Sequence, residues 1–226
     1  MYFGDEQLNE LLRLNERYYP DWQGFDDPRF VDQEIDYKWE GIEKAQEQLA
    51  QEALAQLLGR EDYDAIIKRI ESIGQALNLL HLSHPSSGGL GILYQDHLDK
   101  AFFCQAFYDL LYGEGDAADR LMTYADAIAE RDLPNKWTFP TYFLFLLYPD
   151  SEMFVKPYAA RWVFQFAGSE EDWEWKPDAN TYRVYRAMGD ELKERLAAYD
   201  AQDNVDIQSL LWVAYSVAKR SSADET

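Results

Sequence analysis

Residues 63–80 read YDAIIKRIESIGQALNLL, and their apolar side chains recur at intervals of three and four positions. This spacing places them on one face of an α-helix, whereas a half-buried β-strand would alternate at every second position. The apolar face is formed by Tyr63, Ile66, Ile67, Ile70, Ile73, Leu77 and Leu80. The stretch therefore predicts a helix with one buried side.

The same helical period continues in both directions from this stretch. Before it, Asp27 and Pro28 have the residue types of an N-cap and a first helical position, and Gly59 is a natural end. They predict a helix of about 30 residues, roughly 45 Å long. After it, four further stripes begin at Phe103, Ala117, Tyr185 and Ile207, and Asp206 is the expected cap of the last helix.

Strand patterns are scarce. Only residues 137–148 (WTFPTYFLFLLY) and 153–155 (MFV) are rich in β-formers, and the first is compatible with either a buried helix or a short strand. We expect an all-α fold, an irregular multi-helix bundle with a long N-terminal helical hairpin. The expected unit is a single domain over 1–226, and the alternative is a subdivision into the hairpin (1–82) and an aromatic-rich helical core (92–220).

The chain is strongly acidic, with 42 Asp and Glu against 21 Lys and Arg and a formal net charge of -21. Such a field repels nucleic acid, so general DNA binding is disfavoured. The single cysteine, Cys104, fits a reducing compartment. The first ten residues, MYFGDEQLNE, lack signal-peptide features, and no apolar run reaches the roughly 20 residues of a membrane span. We expect a cytoplasmic protein without a membrane partner.

Catalytic signals are weak. His81, His84 and His97 fall within 17 residues, and the first two could share a metal on a helix, but ordinary polar histidines are the favoured interpretation. Cys104 lies in the apolar stretch AFFCQAF, where a thiol is normally inert. No glycine-rich nucleotide loop is present. The sequence therefore predicts no catalytic residue and no cofactor.

One window differs from the acidic remainder. Residues 133–168 hold three bases, Lys136, Lys156 and Arg161, and only two acids. The window is either a core region in which charges are few or a binding cleft edged by the three bases. The residues predicted to bind a partner are Lys136, Trp137, Lys156, Arg161, Trp162 and Gln208.

Lys156 stands out within this window, because the proline after it excludes a helical conformation. Pro157 suits the first turn of a helix, so Lys156 should lie at its N-cap, where a positive charge opposes the helix dipole. One interpretation, which we favour, is a partly buried ion pair with Asp150 or Glu152. The other is an anion site formed by the lysine and the first N–H groups of the helix.

Two blocks of the chain resemble a poorly characterised bacterial helical family. KWTFPTYFLFLLYPDSEMFVKP (136–157) is similar to its K-W…T-x-F-x-F-L…P-x-x-x-M-F-x-K-P signature, and VDIQSLLWV (205–213) to its closing segment. Weaker likenesses extend to about residues 78–213. Leu211 stands where the family prefers an aromatic residue. Domains of this kind occur alone or attached to AAA+ restriction GTPases of the McrB type and to nucleases.

The resemblance implies a phage-defence or restriction context but no catalytic residue. The predicted function is a non-enzymatic interaction module that binds a protein partner or a specialised nucleic-acid feature. Two alternatives remain: a metal-assisted hydrolase that uses the three histidines, and an acidic inhibitor that mimics DNA.

Overall fold

The computed structural model describes residues 1–77, 79–80 and 89–224, and over these ranges it contains helices and no β-strand. The prediction of an all-α multi-helix fold is therefore confirmed. None of the helices in the described ranges is both long enough and apolar enough to cross a membrane. The α-helices are α1 (Asp5–Tyr18), α2 (Pro28–Phe30), α3 (Asp36–Gln48), α4 (Gln51–Gly59), α5 (Tyr63–Ala76), α6 (Lys100–Tyr112), α7 (Ala117–Ala129), α8 (Thr138–Leu147), α9 (Pro157–Ala167), α10 (Ala179–Arg195) and α11 (Asn204–Asp224).

The first helix packs most extensively against the last one. Within this interface the Asn15 side chain donates a hydrogen bond to the Leu210 carbonyl at 3.3 Å. The Glu191 carboxylate on α10 accepts hydrogen bonds from the backbone N–H groups of Tyr2 and Phe3. Buried side chains from both sides of the suggested boundary at 82–92 form one apolar cluster. The N-terminal segment is thus anchored on the C-terminal half of the chain.

The helix expected over residues 28–58 is divided. A π-helical turn (Val31–Ile35) links α2 to α3, and the backbone then turns extended at Ala50 before α4 begins. The carbonyls freed at this break are bonded by side chains of other helices. Arg69 of α5 donates to the Gln48 carbonyl at 2.7 Å, and Tyr112 of α6 donates to the Leu49 carbonyl at 2.7 Å. These tertiary contacts compensate for the lost helical hydrogen bonds.

The last helix begins before its predicted cap. The Asp203 side chain accepts hydrogen bonds from the backbone N–H groups of Val205 (2.7 Å) and Asp206 (3.2 Å). Asp203 is therefore the N-cap residue of α11. The Asp206 carboxylate instead accepts from the Gln202 backbone N–H at 2.8 Å. The prediction that Asp206 caps α11 is therefore wrong, because that residue already lies in the first turn.

Candidate functional site: a lysine cleft at the start of α9

The irregular segment that leads from α8 into α9 is fixed by hydrogen bonds from its surroundings. Three buried or nearly buried side chains, one each from α8, α10 and α11, bond its backbone. They are Thr141, which accepts from the Val155 N–H (3.1 Å), Tyr182, which donates to the Met153 carbonyl (3.1 Å), and Asn204, which donates to the Glu152 carbonyl (3.1 Å). The segment ends at Lys156, so these bonds fix the position of that lysine at the start of α9.

Lys156 is the N-cap residue of α9, as the sequence predicts. Its backbone is extended (φ −96°, ψ 107°), and Pro157 follows as the first helical residue. The Lys156 side chain does not cap the helix. The backbone N–H groups of Tyr158 and Ala159 belong to the first turn, where a helix offers them no internal acceptor. The start of α9 therefore has two N–H groups without an acceptor inside the helix, directly after Lys156 in the chain.

The ammonium of Lys156 lies over an aromatic ring and not beside a carboxylate. Its nitrogen is 3.9 Å from the centroid of the Trp212 ring on α11, a cation–π contact. Glu152 is engaged by Arg186, with 3.6 Å between the guanidinium and carboxylate atoms. Among the described residues, no carboxylate lies within ion-pairing distance of Lys156. The favoured prediction of an ion pair with Asp150 or Glu152 is therefore wrong.

Burial lowers the pKa of the Lys156 side chain. Desolvation, followed by the nearby positive charge of Lys38, lowers the pKa of the Lys156 ammonium to about 8, although Glu34 acts in the opposite direction. Burial also lowers the pKa of Lys38 to about 8, and Glu34 again opposes the change. Lys38 differs in having partners, since it donates to Ser209 (2.8 Å) and to the Glu34 carboxylate (3.2 Å). Lys156 is the member of this pair that faces a cleft.

The cleft has a volume of about 340 Å³ and brings together three lysines from separate parts of the chain. Lys136 precedes α8, Lys156 precedes α9, and Lys219 lies in the second half of α11. We call this surface the lysine cleft. The described residues that line it are Leu79, Gly89, Lys136, Thr138, Lys156, Pro157, Tyr158, Ala159, Trp212, Tyr215 and Lys219, and they include no carboxylate.

The lysine cleft differs in charge from four other clefts on the described surface. A second cleft of about 450 Å³ between α6 and α7 includes three carboxylates, those of Asp109, Glu114 and Asp119. Three further surface clefts also contain at least two acidic residues each. In a chain of net charge -21, the lysine cleft therefore differs from these four clefts, because its described lining has basic side chains and no acidic ones.

The sequence-predicted binding residues do not all reach this cleft. Lys136 and Lys156 line it, whereas the exposed Arg161 lies over Trp175 (5.4 Å) in a neighbouring cleft with Glu171 and Asp172. Trp137 is fully buried and donates its indole N–H to the Glu174 carbonyl at 2.8 Å.

The other two predicted residues lie on α9 and α11. Trp162 is half-buried and stacks on Phe166, with 4.9 Å between the ring centroids. Gln208 is buried one turn before Trp212, and its side-chain oxygen has no hydrogen-bond partner among the described residues.

The lining residues that the sequence interpretation missed include Tyr158, Trp212, Tyr215 and Lys219. A signal for three of them was present, because positions 212, 215 and 219 recur at helical spacing and share one face of α11. That face combines two aromatic rings with a base. The sequence interpretation of α11 used only its aliphatic stripe, which lies on another face of the helix, so it made no prediction for this second face.

The described residues contain no group of three His, Cys, Asp or Glu side chains arranged to hold a metal ion. His97 is exposed, and His81 and His84 lie outside the described residues. Cys104 is buried, and burial raises the pKa of its thiol to about 12. A thiol with so high a pKa is almost entirely protonated at neutral pH, which agrees with the prediction of an inert cysteine.

Comparison with protein-family models, with curated proteins and with solved structures finds no match for this chain. The resemblance of residues 136–157 and 205–213 to a bacterial helical family therefore stays a prediction from those residues alone. Any inference about function therefore rests on the lysine cleft and not on a related protein.

Proposed function

We propose that the protein is a non-enzymatic binding module whose lysine cleft takes an anionic group of its partner. The observation that carries the proposal is the charge of the cleft. Three lysines converge on a surface whose described lining includes no acid, in a protein with twice as many acidic as basic residues. The ammonium of Lys156 lies over a ring and has no carboxylate within ion-pairing distance among the described residues, so a bound anion would gain from its charge.

The backbone adds to this preference. Tyr158 and Ala159 are first-turn residues of α9, an 11-residue helix, and both line the same cleft. The N-terminus of a helix favours negative charge through its free N–H donors and its dipole. Lys156 is unfavourable at that position for the isolated protein and favourable once an anion is bound, which is the pattern expected of a binding residue.

The net charge restricts the kind of partner. A long nucleic acid would place many phosphates against the acidic remainder of the surface, whereas a single anionic group needs to enter only the cleft. The partner can be a protein or a nucleic-acid feature that presents such a group. The defence context implied by the family resemblance is part of the proposal and is tested separately, by asking whether the encoding gene lies beside a restriction ATPase.

Inorganic phosphate is the simplest probe of the cleft. We expect phosphate to raise the melting temperature of the wild-type protein, and isothermal titration calorimetry to show one site. A ligand at 100 times its Kd stabilises the folded state by about 2.7 kcal/mol. The variants Lys156→Ala and Lys219→Ala should lose most of this effect.

The matched control is Lys68→Ala. Lys68 is an exposed lysine of α5 that lines none of the clefts described above. Its replacement changes the net charge by the same amount as the two cleft variants but leaves the lysine cleft intact. The control should respond to phosphate as the wild type does. An equal phosphate response in wild type, Lys156→Ala and Lys219→Ala would contradict the proposal.

A further inference from the structure

The walls of the lysine cleft contain aromatic rings as well as charges. Tyr158, Trp212 and Tyr215 line it together with the three lysines. The Tyr215 ring lies between two tryptophans, with centroid distances of 5.9 Å to Trp212 and 6.1 Å to Trp162. A site for a bare anion has no need of such rings, because they offer apolar faces and few donors.

One of the rings is available for stacking. Tyr158 is 71% exposed, and its one ring contact among the described residues is an edge-on pair with Trp175 at 5.4 Å. A single such contact covers at most one face of the ring. Trp212 differs, because the Lys156 ammonium lies over its face at 3.9 Å. The cleft is thus lined by one ring that has a charge over its face and by a second ring that is mostly exposed.

From these features we infer that the lysine cleft binds a mononucleotide, whose phosphate contacts the lysines and the start of α9 while its base stacks on Tyr158. This inference rests on the anion site of the proposed function, and it assigns the anionic group to a small free ligand in place of a macromolecular partner. Bases of every type stack on aromatic side chains because each has a π-face. The volume of about 340 Å³ falls at the lower end of the range of small-molecule sites, about 300–1,000 Å³, which suits one nucleotide unit.

The basic residues of the cleft favour a nucleotide over a phosphorylated peptide. Phosphopeptide sites are characteristically built from arginine clusters, whose planar groups bind phosphate in a bidentate manner. The described lining contains three lysines and no arginine. Thr138 and the tyrosines add hydroxyl groups that can bond sugar and base atoms.

Calorimetric titration with matched probes tests the inference. The probes are the four common nucleoside 5′-monophosphates, ribose 5-phosphate, which lacks the base, and the nucleosides, which lack the phosphate. We expect at least one nucleotide to bind about five-fold to one-hundred-fold more tightly than ribose 5-phosphate, the range for one stacked base. The nucleosides should bind more weakly than either.

Two variants locate the stacked base. Tyr158→Ala should bring the nucleotide affinity down to that of ribose 5-phosphate and leave ribose 5-phosphate binding unchanged. Because Tyr158 is mostly exposed, we expect this variant to fold. Tyr18→Ala removes another exposed tyrosine, on α1 and outside the cleft, and should keep the preference for nucleotides.

The outcomes separate this inference from the proposed function. If ribose 5-phosphate and nucleotides bind equally, and both need Lys156, the anion site stands and the nucleotide inference is overturned. If none of the phosphates binds, both are overturned. Phenyl phosphate, which mimics a phosphotyrosine side chain, would overturn the nucleotide assignment by binding as tightly as the best nucleotide.

A single-stranded oligonucleotide with the same 5′-terminal nucleotide distinguishes a strand end from a free nucleotide. We expect weaker binding than that of the mononucleotide, because the additional phosphates meet a protein of net charge -21. Equal or tighter binding would overturn the assignment to a free mononucleotide.

Discussion

Replacing Lys156 by methionine should stabilise the protein, although it removes a half-buried side chain. Methionine keeps an unbranched apolar chain and loses only the ammonium group. The folded state lowers the pKa of Lys156 from 10.5 to about 8, and each unit corresponds to 1.36 kcal/mol. The charge therefore costs the folded protein about 3 kcal/mol at pH 7.

The contact with Trp212 offsets part of this cost. A cation–π pair is worth about 0.5–2 kcal/mol, which the variant would lose. The expected net gain for Lys156→Met is about 1–2 kcal/mol at pH 7. For a chain of this length that gain corresponds to a rise in melting temperature of about 2–8 °C. Thermal melts of the two proteins in the same phosphate-free buffer measure it.

The stability difference between Lys156→Met and the wild type should also depend on pH. Because the folded-state pKa of Lys156 lies below the unfolded one, the cost of its charge is fully present below pH 8 and decreases as the pH rises towards and beyond 10.5. The advantage of Lys156→Met should therefore shrink between pH 7 and pH 10. Lys38 titrates in the same pH range and its charge repels that of Lys156, so the variant also loses this repulsion, and this part of its advantage likewise shrinks as the pH rises.

Two results would refute this reasoning. One is a loss of stability in Lys156→Met at pH 7, which would mean that the ammonium has a stabilising partner. The other is a difference between the proteins that stays constant from pH 7 to pH 10. Lys68→Met, which removes an exposed lysine of α5, serves as the control and should leave the melting temperature nearly unchanged.

Four further outcomes are expected. Phosphate affinity, measured by calorimetry, should fall about five-fold between pH 8 and pH 9, because Lys156 loses its proton with a pKa of about 8; a flat profile would exclude it from the site. Cys104 should react with a thiol reagent only after unfolding, because it is buried and burial raises its pKa to about 12; fast labelling of the native protein would contradict this. Tyr182→Phe should lower the free energy of unfolding in denaturant titrations by about 1–3 kcal/mol, since the Met153 carbonyl loses its buried donor; an unchanged midpoint would show that the bond contributes nothing. Elemental analysis should find no stoichiometric zinc, and about one metal per chain that is lost in His81→Ala would favour the hydrolase alternative.

The helical class of the fold was predictable because apolar periodicity directly reflects which face of a segment is buried. The start of α9 was predictable for a similar reason, since Pro157 restricts its own backbone and that of Lys156 without help from other residues. The π-helical turn and the extended residue at Ala50 were not. The break at Ala50 is compensated by Arg69 and Tyr112, which come from other helices, so local propensity carries no trace of it.

The candidate site was predictable only in part. Lys136 and Lys156 belong to a window whose low content of acidic residues is visible in the sequence, but Lys219 comes from a distant helix. The absence of an ion pair at Lys156 was also hidden, because Arg186, far along the chain, engages Glu152. Which charged residues form ion pairs depends on tertiary packing, and the sequence pattern alone does not contain that information.

The packing of α1 on α11 has a consequence for biosynthesis. Leu11 and Leu14 are buried in the folded protein, yet the helix that covers their side of α1 is made of residues 204–224. A nascent chain must therefore carry an uncovered apolar face on α1 until residues 204–224 have been synthesised. Contacts so distant in sequence slow the final folding step and leave intermediates prone to association. We expect α1 to depend on chaperone protection during synthesis more than α5 and α6, whose partners lie next to them in the chain.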